Sequence, residues 1–374
     1  MDINYSVLNS DEKAIFKMRS LYKKYGYSQF KMSKFEEYDL YVRNKDFLVS
    51  ENIITFTDTD GKLMALKPDV TLSIIKNTDY KSGQVKKVFY DENVYRVSKG
   101  TNSFKELMQV GLECIGDIDT YNIYETIVLA AKSLKSISDE FVLDLSNMDI
   151  VSDLIDYLGL DGKAKKEIMK CIGEKNVHGI NTICIENSVD TKLCEKLKKM
   201  VSLYGDIDEV LKEIKELALP TSSSAIDELE QIVTLIKNSE FAGKIRIDFS
   251  VISDNHYYNG FVFKGFIKGI SSWILSGGQY DNLMKKMRIN CGAVGFAVYL
   301  DMLNQFESND DQFDVDCVVL YDADANIIEL NNSIEKIVSS GNSVIALKTV
   351  PESITYRQLF KFDRNGVELI ENNA

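Results

Sequence analysis

The stretch IDFSVISDNHYYNGFVF, residues 247–263, is the one around which the rest of the chain is organised. Two runs rich in β-branched and aromatic residues flank a polar segment, a pattern that predicts a strand, a turn and a second strand. The turn carries an adjacent tyrosine pair, Tyr257 and Tyr258. We expect this pair to belong to a ligand pocket whose other half lies downstream.

The downstream stretch is SGGQYDNLMKKMRINCGAVGFAVYLDML, residues 276–303. Its glycine pair, Gly277 and Gly278, resembles a tight turn that opens a helix. Gly292 and Gly295 lie among apolar residues, which favours a helix that packs closely on a sheet. We therefore expect the stretch to begin with a turn and to end in a helix.

Composition and charge indicate the broad class of protein. The 374 residues are 45% hydrophobic and 27% charged, which is typical of a soluble globular protein with two or three domains. No apolar run is long enough to span a bilayer, and the N-terminus lacks a signal-peptide pattern. The six cysteines form no CxxC pair, so we expect reduced thiols in a cytoplasmic protein and no metal site. A formal net charge of −13 opposes non-specific nucleic-acid binding.

The N-terminal part of the chain alternates between helix and strand patterns. Residues 10–25 begin with a serine and two acids before apolar residues at helical spacing, which predicts a capped amphipathic helix. Residues 28–42 are predicted to form one long strand. Residues 49–57 and 63–66 flank a turn and predict a hairpin.

Asp69 and Thr71 lie where this hairpin is followed by a short helical run, in the segment KPDVT. A side-chain oxygen at such a point can cap the N-terminus of the helix. It can equally face a cleft. The residues alone leave both interpretations open.

Two further strands are predicted over residues 86–97 and 104–116, and the second is expected to return antiparallel to the first. If the second is extended, Gln109 and Glu113 share one face with Gly111 between them. An amide and a carboxylate then point the same way, beside a glycine that leaves room for a ligand. An exposed antiparallel face would produce the same alternation, so a solvated sheet surface remains the alternative.

The remaining chain divides into an insertion, a linker and a small unit. Residues 138–238 alternate helical segments with polar turns, which predicts a helical insertion in an otherwise mixed sheet. The acidic run at residues 308–312 is interpreted as a linker. We therefore expect an α+β core over residues 1–307 and a small C-terminal α/β unit over residues 313–374.

Five blocks of the sequence occur in an order that resembles the class II histidyl-tRNA synthetase family. In order they are KPDVT, YRVS with FKELMQVGLECIG, the helical insertion, NHYYNGFVF, and SGGQYDNL leading to AVGFAVYLDML. The resemblance covers about residues 1–305. It implies a class II synthetase-like antiparallel sheet, flanked by helices, of the kind that binds an amino acid and ATP.

The resemblance also implies a histidine site. In such a site a carboxylate, Glu113 or Asp69, would hold the α-ammonium group of the ligand, and the tyrosine pair would form the wall around its imidazole. Arg96 and His256 are further possible ligand contacts, and His256 is equally well interpreted as a packed turn residue. The implied histidine-binding residues are Asp69, Thr71, Gln109, Glu113, Tyr257 and Tyr258.

The chain departs from the synthetase pattern at two arginine positions. Where that family has Arg-Gly-Leu-Asp-Tyr-Tyr, residues 253–258 are SDNHYY, so Ser253 replaces the arginine. Where it has Gly-Leu-Glu-Arg, residues 299–302 are YLDM, so Met302 replaces the arginine that clamps ATP phosphate. Reactions of a triphosphate need cationic groups that neutralise developing charge. We expect the loss of both arginines to abolish efficient adenylation.

A synthetase-like core that keeps histidine contacts and loses ATP contacts resembles the family of ATP phosphoribosyltransferase regulatory subunits. The resemblance implies a non-catalytic chain without cofactors that activates a short catalytic subunit in a hetero-octamer. It also implies feedback inhibition by histidine in the first step of histidine biosynthesis, and a homodimer formed near residues 28–45. A divergent histidyl-tRNA synthetase and a stand-alone histidine-binding sensor are the alternatives.

Overall fold

The computed structural model consists of two compact units, Met1–Phe306 and Glu307–Ala374. Each unit has a hydrophobic core of its own. The residues that the structure describes are 8–44, 53–78, 83–97, 103–220, 223–252, 257–305, 313–364 and 366–373.

The large unit combines helices with a nine-stranded sheet in the described part of the chain. Its elements up to the insertion are α1 (Ser10–Lys24), β1 (Ser28–Gln29), β2 (Phe35–Glu37), α2 (Tyr38–Arg43), β3 (Thr55–Thr57), β4 (Leu63–Leu66), α3 (Thr71–Lys76), β5 (Val85–Val97), β6 (Phe104–Gly116), α4 (Thr120–Ile137) and β7 (Phe141–Asn147). The later elements are α5 (Met148–Tyr157), α6 (Gly162–Gly173), α7 (Val177–Glu186), α8 (Thr191–Ser202), β8 (Tyr204–Gly205), α9 (Ile207–Glu216), α10 (Ser223–Lys237), β9 (Ile245–Asp248), β10 (Asn259–Ile267), β11 (Leu275–Gln279), α11 (Asp281–Lys286), β12 (Gly292–Tyr299) and a 3₁₀-helix, Leu300–Gln305.

The large sheet has the strand order β1-β5-β6-β12-β11-β10-β7-β9-β8. From β5 to β7 every neighbouring pair is antiparallel, whereas β1 with β5 and β7 with β9 are parallel. The strands β2, β4 and β3 form a second, antiparallel sheet. The predicted α+β class, with an antiparallel sheet flanked by helices, is confirmed.

One face of the large sheet is buried against α1 and α4. Leu112 and Phe296 are cross-strand neighbours on β6 and β12, and both lie in the hydrophobic core. Tyr22 of α1 packs against Phe296 with ring centroids 6.1 Å apart, and its hydroxyl is 2.8 Å from that of Ser133 on α4. Because side chains alternate along a strand, Glu113 points to the opposite face of the sheet.

Aspartate residues begin several helices of the insertion. Asp161, Asp190 and Asp206 are the N-caps of α6, α8 and α9, and each accepts hydrogen bonds from N–H groups of the first turn. The aspartates in these polar turns of the sequence therefore mark the residues at which the helices begin. The insertion is predicted to start at residue 138, but residues 141–147 form β7, which pairs with β10 in the large sheet. The helices therefore begin at Met148.

The prediction of one long strand over residues 28–42 is wrong. The segment holds two short strands, β1 and β2, and then the helix α2. Asp39 and Arg43 form an ion pair at 3.0 Å one turn apart on this helix, and Tyr41 between them is fully buried. Packing of the helix thus overrides a strand-like pattern of aromatic residues.

For the glycine-rich downstream stretch, the predicted turn at Gly277 and the predicted helix around Gly292 are wrong, whereas the short helix α11 does follow the glycine pair as expected. Gly277 and Gly278 lie within β11, and Gly292 and Gly295 lie within β12. A Cβ atom at Gly277 would lie 2.4 Å from the Cβ atom of Phe296 on the neighbouring strand. Here glycine marks close packing within a sheet, where a side chain would collide with its neighbours.

The small unit contains a four-stranded sheet and a helix within its described residues. Its elements are β13 (Val315–Leu320), α12 (Ile327–Ser339), β14 (Val344–Leu347), β15 (Tyr356–Asp363) and β16 (Gly366–Asn372). The strand β13 is parallel to both β14 and β15, and β16 is antiparallel to β15. Val319, Leu330 and Phe362 form the buried core of the unit.

Candidate functional site

A cavity of about 340 Å³ lies on the face of the large sheet to which Glu113 points. It brings together side chains from α3, β5, β6 and the segment that leads into β10. Seven of the candidate residues from the sequence line it, namely Asp69, Thr71, Arg96, Gln109, Glu113, Tyr257 and Tyr258. His256, the remaining candidate, lies outside the described residues.

Glycines make the floor of the cavity. Across the sheet, Glu113 is paired with Gly295, and Gly295 with Gly278. A Cβ atom at Gly295 would lie 1.8 Å from Oε2 of Glu113, and one at Gly111 would lie 2.5 Å from the hydroxyl of Tyr90. A side chain at either position would occupy the space that the polar ends of Glu113 and Tyr90 fill beside the cavity.

Glu113 is a buried acid in the wall of the cavity, with 2% of its surface exposed. Its carboxylate oxygens accept hydrogen bonds from Oγ1 of Thr71 at 2.8 Å and from the hydroxyl of Tyr280 at 2.5 Å. Burial raises the pKa of Glu113 to about 8, although the two hydrogen bonds oppose the rise. A ligand with a positive charge beside this carboxyl group would favour its ionised form.

Asp69 bonds to the first turn of α3, whose N-cap residue is Val70, and it also lines the cavity. Its Oδ1 accepts a hydrogen bond from the N–H group of Leu72 at 3.0 Å in the first turn of α3. The same side chain lines the cavity. Burial raises the pKa of Asp69, while the Leu72 hydrogen bond and the Arg96 guanidinium lower it.

The segment that carries Asp69 is anchored by two basic residues. Lys67 is fully buried, and its ammonium group donates to Oε2 of Glu92 at 2.8 Å. The Nε of Arg96 donates to the carbonyl oxygen of Pro68 at 3.1 Å. Both contacts join the segment to β5 and so fix the position of Asp69.

Three tyrosines form an aromatic wall. The ring centroids of Tyr257 and Tyr258 are 4.5 Å apart with the planes at 80°, and those of Tyr257 and Tyr280 are 5.9 Å apart at 38°. Burial raises the pKa of both Tyr257 and Tyr258, so their hydroxyl groups remain neutral at physiological pH. Tyr280 is not among the candidates from the sequence, because residues 277–281 are predicted there as a turn rather than as the end of a strand.

Gln109 brings an unused hydrogen-bond donor to the cavity. Its surface is 3% exposed, and its side-chain nitrogen has no hydrogen-bond partner among the described residues. A buried donor without a partner costs roughly 1–3 kcal/mol. A ligand oxygen at this point would recover that free energy.

The far wall of the cavity includes Lys264 and Trp273, which sequence reasoning did not single out. The Lys264 ammonium lies 6.0 Å from the centroid of the Trp273 ring, and this ring lies edge-on to Tyr299 at 5.1 Å. The Arg96 guanidinium lies 5.8 Å from the centroid of the Tyr299 ring. Alternation along β10 places Lys264 on the same face as Val262, but only the pairing of β10 with β11 makes this the cavity face.

The composition of the cavity suits a small zwitterionic ligand. The buried acid Glu113, the half-buried acid Asp69 and a tyrosine wall occupy one side, and Arg96 and Lys264 are the cationic side chains among the described lining residues. No group of three metal-ligating His, Cys, Asp or Glu side chains occurs within the described ranges. Among the helices described, none is both long and apolar enough to cross a membrane.

Comparison with known proteins identifies relatives of the chain. The family model described as histidyl-tRNA synthetase matches residues 2–303. A relative from Thermoanaerobacter sp., named ATP phosphoribosyltransferase regulatory subunit, is 30% identical over 291 residues, which cover 76% of this chain and 75% of the relative.

Two solved structures share the fold. One is described as an ATP phosphoribosyltransferase regulatory subunit/histidyl-tRNA synthetase from Bacillus halodurans, with a TM-score of 0.72, 21% identity, and coverage of 94% of this chain and 93% of the other. The second belongs to the ATP phosphoribosyl transferase (HisG:HisZ) complex from Thermotoga maritima, with a TM-score of 0.61, 18% identity, and coverage of 80% and 98%. At these identities the two structures establish the histidyl-tRNA synthetase-like fold alone.

Proposed function

The chain belongs to the histidyl-tRNA synthetase family, within the group of ATP phosphoribosyltransferase regulatory subunits, and on this premise we propose that its cavity receives histidine as a feedback signal. The chain acts as a non-catalytic regulatory subunit. Its partner is a short-form catalytic chain of ATP phosphoribosyltransferase, which performs the first step of histidine biosynthesis. Histidine bound in the cavity lowers the activity of that partner.

The observation that carries the proposal is the presence of amino-acid recognition groups without the cations that ATP chemistry needs. Positions 253 and 302 hold serine and methionine where the synthetase pattern has arginine. Of the two described cations in the cavity, Arg96 is already bonded to the Pro68 carbonyl and packed on Tyr299. Transfer from a triphosphate depends on several cationic groups acting together. The cavity is therefore equipped for binding and poorly equipped for adenylation.

Histidine suits the recognition groups that remain. The acids Glu113 and Asp69 can pair with its α-ammonium group or accept a hydrogen bond from its imidazole N–H. The rings of Tyr257 and Tyr258 offer an apolar wall with neutral hydroxyl donors. The cavity volume of about 340 Å³ falls at the lower end of ligand pockets, which supports a single amino acid as the occupant.

We further propose that the protein works in the cytoplasm as part of a hetero-octamer, with homodimers formed near residues 28–45. An apolar patch in this region supports the homodimer. Phe35 and Phe56 lie on the same face of the small antiparallel sheet, are 48% and 39% exposed, and have ring centroids 5.7 Å apart. Contiguous exposed apolar surface of this kind is typical of an interaction site.

Reconstitution with the catalytic partner tests the proposed function. We expect the purified chain to form a complex with a short-form catalytic subunit and to raise its rate of phosphoribosyl transfer. Added histidine is expected to lower that rate by about 5- to 150-fold, the usual range of an allosteric coupling. Tyr258→Phe, which keeps the ring and removes the hydroxyl, is expected to weaken this inhibition. No complex by size exclusion and no change in rate would refute the regulatory role.

A divergent histidyl-tRNA synthetase is the second candidate. Arg96, Gln109 and Glu113 favour it because all three line the cavity. The serine and methionine at positions 253 and 302 oppose it. A stand-alone sensor, the third candidate, would bind histidine and leave the catalytic subunit unaffected in the same reconstitution.

A further inference from the structure

Lys264 is a cationic residue in the wall of the cavity, and it is not one of the proposed histidine contacts. It lies on β10, is partly buried, and lines the cavity. Its ammonium group makes no ion pair within the part of the chain that the structure describes, and its contact there is the Trp273 ring at 6.0 Å. Burial of a lysine without a counter-charge is unfavourable, and an anionic ligand would relieve the cost.

The acids on the strands beside Lys264 do not neutralise it. Asp144 is its cross-strand neighbour on β7, but the two side chains form no ion pair. Asp248 on β9 already accepts a hydrogen bond from Lys175 at 2.8 Å and from the hydroxyl of Ser250 at 2.7 Å. Burial lowers the pKa of Lys264 and the charge of Asp248 raises it. The Lys264 ammonium group can therefore donate hydrogen bonds to a ligand in the cavity.

Lys264 shares the cavity face with the buried acid Glu113 but lies at the other side of the floor. A single row across the sheet joins Glu113 to Gly295, Gly278 and Val262. Lys264 is two residues beyond Val262 on the same strand, so its side chain points to the same face. The strands of Glu113 and Lys264 are three positions apart, which corresponds to about 14 Å between backbones. The carboxylate of Glu113 leans over Gly295 on the intervening strand β12, which shortens the gap that a ligand has to span.

We infer that the Lys264 ammonium binds the carboxylate of the amino acid whose cationic part meets Glu113 and Asp69. The inference rests on the proposed function, because it assigns a new contact to the same ligand. Trp273 supports the lysine through a cation–π contact.

Arg96 is less suited to this task, although it also lines the cavity. Its Nε is committed to the carbonyl oxygen of Pro68, and its guanidinium already lowers the pKa of Asp69. Of the two described cationic side chains that line the cavity, Lys264 is therefore the better placed to bind a ligand carboxylate.

A consequence for specificity follows from this contact. The effector needs a free carboxylate as well as an imidazole, so histamine, which lacks the carboxylate, should bind more weakly than histidine. The difference between the two ligands isolates the carboxylate contact, because their imidazole and ammonium groups are alike.

Calorimetric titration of histidine and histamine into the full chain and its variants tests the inference. We expect Lys264→Met to weaken histidine binding at least ten-fold and to change histamine binding less than two-fold. Lys264→Arg should retain most of the affinity for histidine. Lys268→Met is the matched control, because this lysine follows the same strand and forms an exposed pair with Glu140. Thermal unfolding of each variant checks that the fold is kept.

The outcomes separate the two proposals. If the unmodified chain binds neither ligand, the histidine site itself is refuted and the carboxylate contact is refuted with it. If the unmodified chain binds histidine and Lys264→Met binds it equally well, only the assignment of Lys264 is overturned. Equal losses for histidine and histamine in Lys264→Met would also overturn it, because the lysine would then act on the shape of the cavity.

Discussion

One methyl group added at position 295 is expected to disrupt the ligand site and destabilise the fold. In Gly295→Ala the new Cβ atom would lie 1.8 Å from Oε2 of Glu113 and 2.5 Å from the carbonyl oxygen of Leu112. The carboxylate would lose its hydrogen bonds to Thr71 and Tyr280, and the backbone oxygen of the neighbouring strand has no rotamer to move to. We expect the free energy of unfolding to fall by about 3 kcal/mol or more, and histidine binding to be lost.

Denaturant unfolding and histidine calorimetry measure this effect, with Gly243→Ala as the control. A Cβ atom at Gly243 would meet nothing within 4 Å, so this variant should be neutral or stabilised by up to about 1 kcal/mol. Equal stability of the two variants, together with full histidine binding by Gly295→Ala, would disprove the packing of Glu113 over a glycine floor.

Replacement of Glu113 by glutamine is expected to change both ligand affinity and the pH dependence of stability. Burial raises the pKa of Glu113 from 4.5 to about 8 in the folded chain. The folded state therefore binds this proton more tightly than the unfolded state does. The stabilisation is fully present below about pH 4.5 and is lost as the pH rises to about 8. Within that window the free energy of unfolding should fall by about 1.4 kcal/mol per pH unit.

Glu113→Gln cannot ionise, so most of this fall should disappear between pH 6 and 8, on the order of 2 kcal/mol. Asp144→Asn is the control: burial and the charge of Asp248 raise the pKa of Asp144 to about 6, so this variant should alter the profile only below about pH 6. Loss of the charged acceptor should also weaken histidine binding at least 30-fold, or about 2 kcal/mol. An unchanged pH profile and unchanged affinity would show that Glu113 is neither buried in this way nor in contact with the ligand.

Sequence periodicity predicted the strands whose alternation is regular. Residues 104–116 alternate along one long antiparallel pair, so the shared face of Gln109 and Glu113 could be predicted from spacing alone. The glycine-rich strands β11 and β12 could not, because glycine has no side chain from which to derive a period. Gly277 lies in a strand because the neighbouring strand is packed against it, so closely that a Cβ atom would collide with Phe296. That contact is tertiary and cannot be predicted from local sequence.

The two acids of the candidate site could be predicted from the sequence, but two of the side chains that accompany them in the cavity could not. Asp69 and Glu113 lie in blocks whose order resembles a known family, and the structure brings both to one cavity. Tyr280 and Lys264 reach the cavity only because β10 and β11 pair next to each other, a contact between strands that no local pattern specifies. The position of Asp69, which depends on the ion pair between the buried Lys67 and Glu92, likewise follows from tertiary contacts.

The central claim is that this synthetase-family cavity binds histidine without activating it. Histidine-dependent ATP–pyrophosphate exchange, measured on a preparation shown by calorimetry to bind histidine, tests the claim most directly. The cavity chemistry predicts a clear heat of histidine binding and no exchange above the rate without protein, because the arginines are missing from positions 253 and 302. Robust exchange that depends on histidine would contradict it and identify the chain as a synthetase.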